Sequence, residues 1–255
     1  MKGVLLAAGI SSRLRPLTGT IPKCLLEIGG ASILERTLGN LLVWGIEDIF
    51  IVTGYLEHRL RNFISRKFPR RNIHFIHNRD YASTNNIYSF WLAKENILRE
   101  SILLLDSDII FDGRIIGALL QSGHANCLAV KRKTALSAEE IKVAVDGSCR
   151  ILDISKEVPP AIAWGESIGI EKFAPSLLTE LFSVMDRKIL GEKKVHEFYE
   201  AAFQEVISRG HDIFAVDVGD YRAIEIDTVE DIDTAEREVI PYLPPLGTTG
   251  IDTLS

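Results

Sequence analysis

The fold of this chain is decided by the stretch Leu6-Ala-Ala-Gly-Ile-Ser-Ser-Arg-Leu-Arg-Pro-Leu-Thr18, which Ile21-Pro-Lys-Cys-Leu25 follows closely. An apolar run from Gly3 to Ala8 leads into it and predicts a short buried strand. After the strand come a glycine, two serines and two arginines, and then a proline–lysine pair. Backbone N–H groups and cationic side chains in such a loop are typical of sites that hold polyanions. The stretch therefore predicts a strand followed by an anion-binding loop.

Short apolar runs alternate with amphipathic segments through the first half of the chain. The pattern predicts strands at Val4–Ala8, Asp48–Thr53, Ile73–Ile76 and Ser101–Leu105, and helices at Ile33–Trp44, Leu56–Phe68 and from a Thr84 N-cap to about Leu98. This order is typical of βαβ units, with a parallel sheet covered by helices on both faces. Ligands of such sheets bind at the carboxyl ends of the strands. The strand-end segments to consider are Gly9 onward, Gly54-Tyr55 and Asp106-Ser-Asp108.

The second half of the chain contains more strand-like runs. They lie at Asn126–Arg132, Ile141–Val145, Cys149–Ser155, Glu166–Phe173, Ile213–Val218 and Tyr221–Ile226. Asp146-Gly147 predicts a hairpin between two of them. Helices are expected at Ser176–Lys188, Val195–Arg209 and Thr228–Val239. The tail from Pro241 to Ser255 is interpreted as a poorly ordered arm or an oligomer contact.

Composition and charge exclude several classes of protein. The 255 residues are 46% hydrophobic and 25% charged, which is typical of a soluble globular protein with a large core. A formal net charge of -6 argues against a broad nucleic-acid surface. Cys24, Cys127 and Cys149 show no metal-ligand spacing and favour a reduced, cytoplasmic setting. No apolar run has the length for membrane insertion, and the early apolar run is too short for a signal peptide.

Three residues of the first loop are candidate phosphate ligands. Gly9 lets the backbone approach a ligand closely. Arg13 can bind phosphate oxygens as a fork, and Lys23 can bind them as a point charge. The spacing fits neither a P-loop nor a dinucleotide-binding fingerprint. A surface loop with solvated cations is the alternative, and the clustering of glycine, hydroxyls and cations behind a strand argues against it.

The same residues carry a resemblance to a known family. Leu6 to Arg13, together with Pro22-Lys23, resembles the signature of the nucleotidyltransferases that make activated sugars and alcohols. The resemblance implies a Rossmann-like three-layer α/β/α nucleotidyltransferase (GT-A-like) fold with a mainly parallel mixed sheet. It implies one domain over residues 1–240, with a nucleotide-binding half at 1–112, an acceptor-binding half at 113–240 and a tail at 241–255. The implied nucleotide contacts are Leu6, Ala7, Ala8 and Gly9 for the base and ribose and Arg13 and Lys23 for the triphosphate, with Gly54 and Tyr55 added from their strand-end position.

Carboxylates at two strand ends suggest a metal site. Asp106 and Asp108 suit Mg²⁺, which one or two carboxylates hold together with phosphate oxygens and water. The resemblance favours Asp108 as metal ligand and catalytic residue, with Asp106 as a second candidate beside the nucleotide. It also places a second metal aspartate at Asp227, between a predicted strand and the last helix. An aspartate that caps a turn or a helix is the alternative in each case.

A second segment narrows the resemblance. Thr84-Asn-Asn-Ile-Tyr-Ser-Phe-Trp-Leu-Ala-Lys-Glu95 resembles the corresponding segment of phosphocholine and aminoethylphosphonate cytidylyltransferases. In a helix, Asn85 and Ser89 would share a face. Asn85 is the candidate for contact with a pyrimidine base, and Asn86 and Ser89 are candidates near the ribose or phosphate. A helix N-terminus that is merely rich in capping residues is the alternative.

The acceptor side is represented by six candidate residues, which are Lys142, Lys156, Trp164, Glu166, Tyr199 and Glu200. The resemblance implies that a lysine in the region of the first two meets the acceptor phosphate or phosphonate. Trp164 could contact a cationic head group through its ring and Glu166 through its charge, although either could be ordinary rim structure. The family often has an aspartate where this chain has Ala201, so a cationic acceptor and a neutral one both stay open.

These residues predict an Mg²⁺-dependent cytidylyltransferase. It would join CMP from CTP, or the nucleotide of another NTP, to a small phosphate or phosphonate acceptor and release pyrophosphate. The alternatives are a sugar-1-phosphate or inositol-phosphate nucleotidyltransferase and a non-catalytic nucleotide-binding domain. Neither nucleic acid nor a membrane is an expected partner, and a homo-oligomer stays open.

Overall fold

The structure, a computed structural model, describes residues 1–132 and 136–248. Its strands are β1 (Lys2–Ala7), β2 (Glu27–Ile28), β3 (Ala31–Ser32), β4 (Asp48–Thr53), β5 (Asn72–His77), β6 (Ile102–Asp106), β7 (Ile109–Phe111), β8 (Cys127–Lys131), β9 (Lys142–Val145), β10 (Ile151–Ser155), β11 (Gly165–Phe173), β12 (Phe214–Asp217) and β13 (Ala223–Glu225). Its α-helices are α1 (Ile33–Val43), α2 (Glu57–Lys67), α3 (Asn86–Leu92), α4 (Lys94–Ile97), α5 (Arg114–Gln121), α6 (Pro175–Asp186), α7 (Glu200–Ser208) and α8 (Val229–Thr234).

Strand β1 lies inside the main sheet, in the order β10-β9-β11-β6-β1-β4-β5. It runs parallel to both of its neighbours, β4 and β6, and β5 runs parallel to β4. This confirms the parallel sheet predicted from the alternation in the first half. Strand β11 then pairs antiparallel with β6, β8 and β9, while β12 runs parallel to β8. The sheet is therefore mixed, as predicted.

Alternate residues of β1 enter two separate cores. Val4 and Leu6 join a cluster that includes apolar side chains of α3, α6 and α7. Leu5 and Ala7 point the other way and join a cluster with α1, α2 and α5. Because successive side chains of a strand lie on opposite faces of a sheet, the two clusters mark two helical layers. The three-layer arrangement places the carboxyl end of β1, and the loop after it, at one edge of the sheet.

A third and smaller core connects the loop after β1 with the end of the chain. It contains Leu14 from the loop, Ile110 from β7 and Ile226 from the residue after β13. Val239, from the helical turn after α8, belongs to the same cluster. This packing brings together two segments more than 200 residues apart in sequence. It determines where the candidate site residues near positions 13, 23, 108 and 227 meet.

Two predicted helix starts are wrong. Thr84 does not cap a helix, because its hydroxyl donates to the carbonyl of Asp80 and Asn85 is the N-cap of α3. The predicted helix from Val195 begins only at Glu200. The residues before it are bound to the start of α3 instead: the Asn85 N–H donates to the Val195 carbonyl at 2.9 Å. Tertiary hydrogen bonds thus override the local helical pattern in this segment.

The elements β7 and α5 and the short strands β2 and β3 were not anticipated from the sequence. Strand β7 begins directly after Asp108, and α5 contains Gly117, which disfavours a helix in isolation. The structure explains the glycine, since a Cβ at this position would lie 2.3 Å from the ring of Trp44. Gly117 lets α5 approach α1's C-cap residue closely.

The start of the predicted tail is packed rather than loose. Leu243 lies against the third core, and Ile240 packs closely on Gly29. Residues 249–255 of that predicted arm lie outside the described residues. Among the residues that the structure describes, no helix combines the length and apolar character needed to cross a bilayer.

Candidate active site

A cleft of about 460 Å³ opens at the carboxyl ends of β1 and β6. This is the edge of the sheet at which α/β proteins bind their ligands. Most of the predicted site residues line it. They are Leu6, Ala7, Ala8, Gly9, Arg13, Lys23, Asn85, Asn86, Ser89, Asp106, Asp108, Lys156, Glu166, Glu200 and Asp227.

Three carboxylates converge on one side of this cleft, and we call them the carboxylate cluster: Asp108, Glu225 and Asp227. One oxygen from each lies within 4.8 Å of the others. The Lys23 ammonium lies between two of them, donating to Asp108 Oδ2 at 2.8 Å and to Asp227 Oδ1 at 2.7 Å. Arg13 donates to Asp227 Oδ2 at 2.7 Å. The structure thus brings together the two distant aspartates and both predicted phosphate-binding cations.

The carboxylate cluster fits a divalent cation. Carboxylate oxygens are the ligands that Mg²⁺ prefers, and the cluster offers one from each of three residues. Asp108 Oδ1 is buried and has no hydrogen-bond partner among the described residues. A lysine ammonium already lies among these oxygens, which shows that the geometry accommodates a positive charge. Asp108, Asp227 and Glu225 are therefore the candidate ligands for a divalent cation.

Backbone pairing between β7 and β13 builds the carboxylate cluster. The two strands run antiparallel, with Glu225 opposite Ile109. The Ile226 N–H donates to the Asp108 carbonyl at 3.0 Å, which holds the segment after β13 beside Asp108. Glu225 was not singled out from the sequence. Glu225 and Asp227 flank the fully buried Ile226, so in an extended segment both acids lie on the same face. This alternation is the sequence signal that could have indicated Glu225.

Electrostatics within the carboxylate cluster favour a bound positive charge. Burial alone would lower the pKa of Lys23, but attraction and hydrogen bonds to Asp108 and Asp227 outweigh it and raise that pKa. Burial, and then repulsion by Asp108 and Asp227, raises the pKa of Glu225 to about 7. Lys23 is accordingly a fixed cation at neutral pH. Lys23 and Arg13 thus place two positive charges against the three acids of the cluster.

A second group of acids forms what we call the acidic wall: Asp106, Glu171 and Glu200. Asp106 and Glu200 line the cleft, and Glu171 lies behind them, 1% exposed. The Tyr199 hydroxyl donates to Asp106 Oδ2 at 2.9 Å and to Glu171 Oε1 at 3.4 Å. One oxygen of Glu171 and one of Glu200 are buried without a hydrogen-bond partner among the described residues. Buried carboxylates with unpaired oxygens are costly unless a cationic group meets them.

The acidic wall is shifted towards its neutral form. Burial, followed by repulsion from Asp108 and Glu200, raises the pKa of Asp106 well above its usual range. Burial raises the pKa of Glu200 to about 7. A hydrogen bond from its own backbone and the charge of nearby Lys156 act in the opposite direction but do not cancel the effect of burial. A positive ligand group at this wall would reverse these shifts, because an opposite charge favours the ionised form.

The asparagines of the second segment stand at the junction of α3 and the residues before α7. Asn85 is the N-cap of α3, and its carbonyl accepts from the Ser89 N–H one turn later at 3.4 Å. The Asn85 side-chain amide donates to the His196 carbonyl at 3.3 Å, and Asn86 Oδ1 accepts from the Tyr199 N–H at 2.9 Å. Ser89 Oγ accepts from the amide of buried Asn78 at 3.1 Å. All three predicted residues line the cleft, and their contact with a base stays a prediction.

Lys156 lines the same cleft. Its ammonium pairs with the Glu139 carboxylate at 3.1 Å and lies 5.2 Å from the ring centroid of Phe198. Glu139 and Phe198 also line the cleft, and the sequence analysis did not identify either. The Lys156 side chain is 33% exposed, so a ligand anion can reach its ammonium.

Three predicted acceptor residues are not in the cleft lining. Lys142 is 2% exposed, and its ammonium donates to the carbonyls of Ser137 and Glu140, so the structure corrects its predicted role as a phosphate ligand. The Trp164 ring lies 5.2 Å from the Arg132 guanidinium, so it already contacts a cation of this chain. Tyr199 is fully buried and contacts the cleft residues Asp106 and Asn86 rather than the cleft itself.

Gly54 and Tyr55 lie behind the first loop and outside the cleft lining. The Tyr55 N–H donates to the Ala8 carbonyl at 3.2 Å. Its hydroxyl donates to the carbonyls of Thr18 and Gly19, at 3.2 Å and 3.0 Å. A Cβ at Gly54 would lie 2.8 Å from the Ala8 carbonyl oxygen. These two residues therefore hold both ends of the loop rather than a nucleotide, which corrects their predicted role.

Comparison with known proteins places these features in context. Residues 3–155 match the family model of the MobA-like NTP transferase domain. The chain is 27% identical over 252 residues to the CMP-5'-(3-aminopropyl)phosphonate synthase of Streptomyces rubellomurinus, covering 94% of this chain and 39% of that relative. It is 28% identical over 255 residues to the CTP:phosphoglutamine cytidylyltransferase of Campylobacter jejuni, covering 91% of this chain and 98% of the relative.

A solved structure confirms the fold. The CTP:phosphocholine cytidylyltransferase of Streptococcus pneumoniae superposes with a TM-score of 0.73 at 22% identity, over 92% of this chain and 97% of the other. The match spans both halves of the mixed sheet. The predicted Rossmann-like nucleotidyltransferase fold is therefore confirmed.

Proposed function

The chain belongs to the family of MobA-like NTP transferase domains, and from that premise we propose that it is a cytidylyltransferase. It transfers CMP from CTP to a small phosphate or phosphonate acceptor that carries an ammonium group, and pyrophosphate leaves. The observation that carries this proposal is the cleft in which Arg13, Lys23, the carboxylate cluster and the acidic wall meet. The two relatives described above are named for CMP transfer to a phosphonate and to a phosphorylated amino-acid derivative.

The reaction needs positioning and charge neutralisation rather than a protein nucleophile. An acceptor oxygen forms a bond to the α-phosphorus while the bond from that phosphorus to the pyrophosphate oxygen breaks. Arg13 and Lys23, which line the cleft, would bind the triphosphate and balance the charge that develops on pyrophosphate. Mg²⁺ held by Asp108 and Asp227, with Glu225 as third ligand, would supply Lewis-acid polarisation of the phosphate oxygens. Lys156 would bind the phosphate or phosphonate of the acceptor.

The acidic wall supports an ammonium-bearing acceptor. The residue expected to be acidic at position 201 is alanine, but Glu200 next to it lines the cleft with a buried, unpaired oxygen. Lys156 lies close enough to affect the Glu200 pKa. An acceptor with an anion at one end and an ammonium at the other would match this pair. A neutral polyol phosphate would leave the buried Glu200 oxygen without a partner.

The proposal is tested by measuring pyrophosphate release with the four common NTPs against three kinds of acceptor. These are ammonium-bearing phosphates and phosphonates, hydroxyl analogues of the same length, and sugar-1-phosphates or inositol phosphate. We expect turnover with CTP and the ammonium-bearing acceptors. Preference for a sugar-1-phosphate would assign the chain to the sugar branch of the fold. Nucleotide binding without pyrophosphate release from any pair would contradict the proposal and support a binding domain.

The acidic wall predicts a pH dependence that separates acceptors. Glu200, whose pKa is about 7, faces Lys156, Asp106, Glu171 and Tyr199. Below that pH it is protonated and attracts an ammonium weakly; above it the carboxylate is ionised. The ratio of kcat/KM for an ammonium acceptor to that for its hydroxyl analogue should therefore rise as the pH increases through about 7.

Both compounds carry the same phosphate or phosphonate group, so the effect of its titration cancels in this ratio. In Glu200→Gln the ratio should be low and independent of pH, because the amide does not ionise. A wild-type ratio that does not change between about pH 5.5 and about pH 8.5 would argue against the ammonium subsite. The proposal of CMP transfer would be unaffected by that result.

Tyr55→Phe tests how the first loop is held. The change keeps the ring and removes the hydroxyl that donates to the Thr18 and Gly19 carbonyls. Loss of these hydrogen bonds is expected to raise the KM for CTP about 2–10-fold, with kcat and the acceptor KM nearly unchanged. Tyr242→Phe, an exposed tyrosine at the far end of the chain, is the matched control. Equal increases in both KM values would mean that Tyr55 supports the fold in general and not the loop.

A further inference from the structure

Lys23 occupies the position in which a cofactor cation would be expected. Its ammonium is hydrogen bonded to Asp108 and Asp227 at 2.8 and 2.7 Å, and these are two of the three carboxylates that could hold a divalent ion. The side chain is only 8% exposed, so the contact is enclosed by the protein and poorly screened by solvent. A divalent ion held by Asp108 and Asp227 would therefore compete with Lys23 for the same two carboxylates.

Arg13 adds a second positive charge to the same oxygens. Its guanidinium donates to Asp227 Oδ2, while Lys23 takes Asp227 Oδ1, so both oxygens of this aspartate are engaged. Unlike Lys23, the Arg13 side chain is 67% exposed. Within the carboxylate cluster, two fixed cations therefore face three acids, and little negative charge is left to attract a divalent ion.

Arg13 and Lys23 have two alternative anionic partners. In the structure they bind the carboxylates of Asp108 and Asp227. As members of the loop after β1, they also line the cleft in which the triphosphate of a nucleotide is proposed to lie. One ammonium cannot satisfy both partners fully at once. Binding of a triphosphate would draw Lys23 from the carboxylates and leave their oxygens available.

We propose that Lys23 is the resident counter-cation of the carboxylate cluster, and that it couples binding of the divalent ion to binding of the nucleotide. This inference rests on the proposed function for the identity of the anion that withdraws Lys23. Without a nucleotide, the ammonium competes with the metal ion for Asp108 and Asp227. With a nucleotide, the ammonium moves to phosphate, and metal and nucleotide then bind cooperatively. Because such coupling is reciprocal, each of the two ligands strengthens the binding of the other by the same factor.

The inference predicts that removing the Lys23 charge improves metal binding to the nucleotide-free protein. In Lys23→Met the side chain keeps its length and loses its ammonium, so Mn²⁺ alone should bind at least ~10-fold more tightly than to the wild type. Lys23→Arg keeps the charge and should stay close to the wild type. The measurement is the Mn²⁺ dissociation constant from the electron paramagnetic resonance signal of free Mn²⁺, with no nucleotide and no acceptor present.

Lys156→Met is the matched control, because Lys156 lines the same cleft but pairs with Glu139 and not with the carboxylate cluster. Its Mn²⁺ affinity should equal that of the wild type. Lys23→Gln provides a second uncharged variant should Lys23→Met fold poorly, as judged by circular dichroism. Added Mn²⁺ should also raise the melting temperature of the uncharged variants more than that of the wild type.

Equal or weaker Mn²⁺ binding by folded Lys23→Met and Lys23→Gln would overturn the inference. This outcome is distinct from failure of the proposed function, because the titration involves no turnover. A wild-type protein that transfers CMP, with uncharged variants that bind Mn²⁺ no better, would reject only the role of Lys23 as counter-cation. A gain in Mn²⁺ affinity without CMP transfer in the wild type would reject only the proposed function.

Discussion

Replacing Asp108 by asparagine is expected to slow pyrophosphate release about 10³-fold while the protein stays folded. Asp108 Oδ2 accepts from Lys23 at 2.8 Å, and its second oxygen has no partner among the described residues. Asparagine preserves the shape of the side chain and removes its charge. The carboxylate cluster then loses one of its three acids, and Lys23 loses one of the two groups that orient it. The measurement is the steady-state rate with saturating CTP and acceptor.

Asp220→Asn is the control for this change. Asp220 is an exposed aspartate that does not line the cleft, so its replacement should leave the rate within about two-fold of the wild type. The melting temperatures of both variants should stay near that of the wild type, since the Asp108 side chain is 26% exposed and is not part of a core. A folded Asp108→Asn protein with an undiminished rate would remove Asp108 from the reaction.

The second large effect concerns stability. Leu104→Ala is expected to lower the free energy of unfolding by about 2–5 kcal/mol, because it leaves a cavity in the core. Leu104 is 0% exposed in β6, the strand that carries Asp106 at its end. It lies opposite Val4 of β1 and opposite Glu171 of β11, where the parallel and antiparallel parts of the sheet meet. Urea unfolding followed by circular dichroism measures the change.

The matched control is the same substitution at an exposed leucine. Leu152 lies in β10 with 48% of its surface exposed, so Leu152→Ala should change the free energy of unfolding by about 0.5 kcal/mol or less. Comparable losses of unfolding free energy at both positions would mean that the core containing Val4 and Leu6 is not as closely packed at Leu104 as the structure indicates. A small loss at Leu104 alone would imply that the core can collapse into the cavity.

The first half of the chain was predictable because its signals are local. Each of its main elements buries one face or both, and the periodicity of apolar side chains reveals these buried faces in the sequence. Examples are the strand before Gly9, the helix capped by Ser32 and the strand that ends at Asp106. The strand ends then indicated where Arg13, Lys23 and Asp108 would be found. The family resemblance added Asp227 as the expected partner of Asp108, and the structure brings these two aspartates together.

Several errors arise where contacts in the folded chain override the appearance of the local sequence. Lys142 has the same local appearance as Lys156, yet one ammonium is bound to the chain's own carbonyls and the other faces the cleft. The residues before α7 look helical but are bound by the start of α3. Trp164 looked available for a ligand cation and is covered by Arg132. In the last two cases the deciding contact comes from a residue outside any short window of sequence, whereas Lys142 is bound by carbonyls two and five residues away.

By itself, the sequence determined the class of the protein: an α/β sheet with a glycine- and cation-containing loop at one strand end, and acids at two others. It could do so because strand and helix periodicity and loop composition are properties of neighbouring residues. Only the tertiary structure decided that Glu225 joins Asp108 and Asp227, that Glu171 and Glu200 form a buried wall with Asp106, and that Lys23 lies among the carboxylates. The physical reason is that charge and burial at a site depend on which segments the fold packs together, and β7, β11, β13 and α7 meet there although they are distant in sequence.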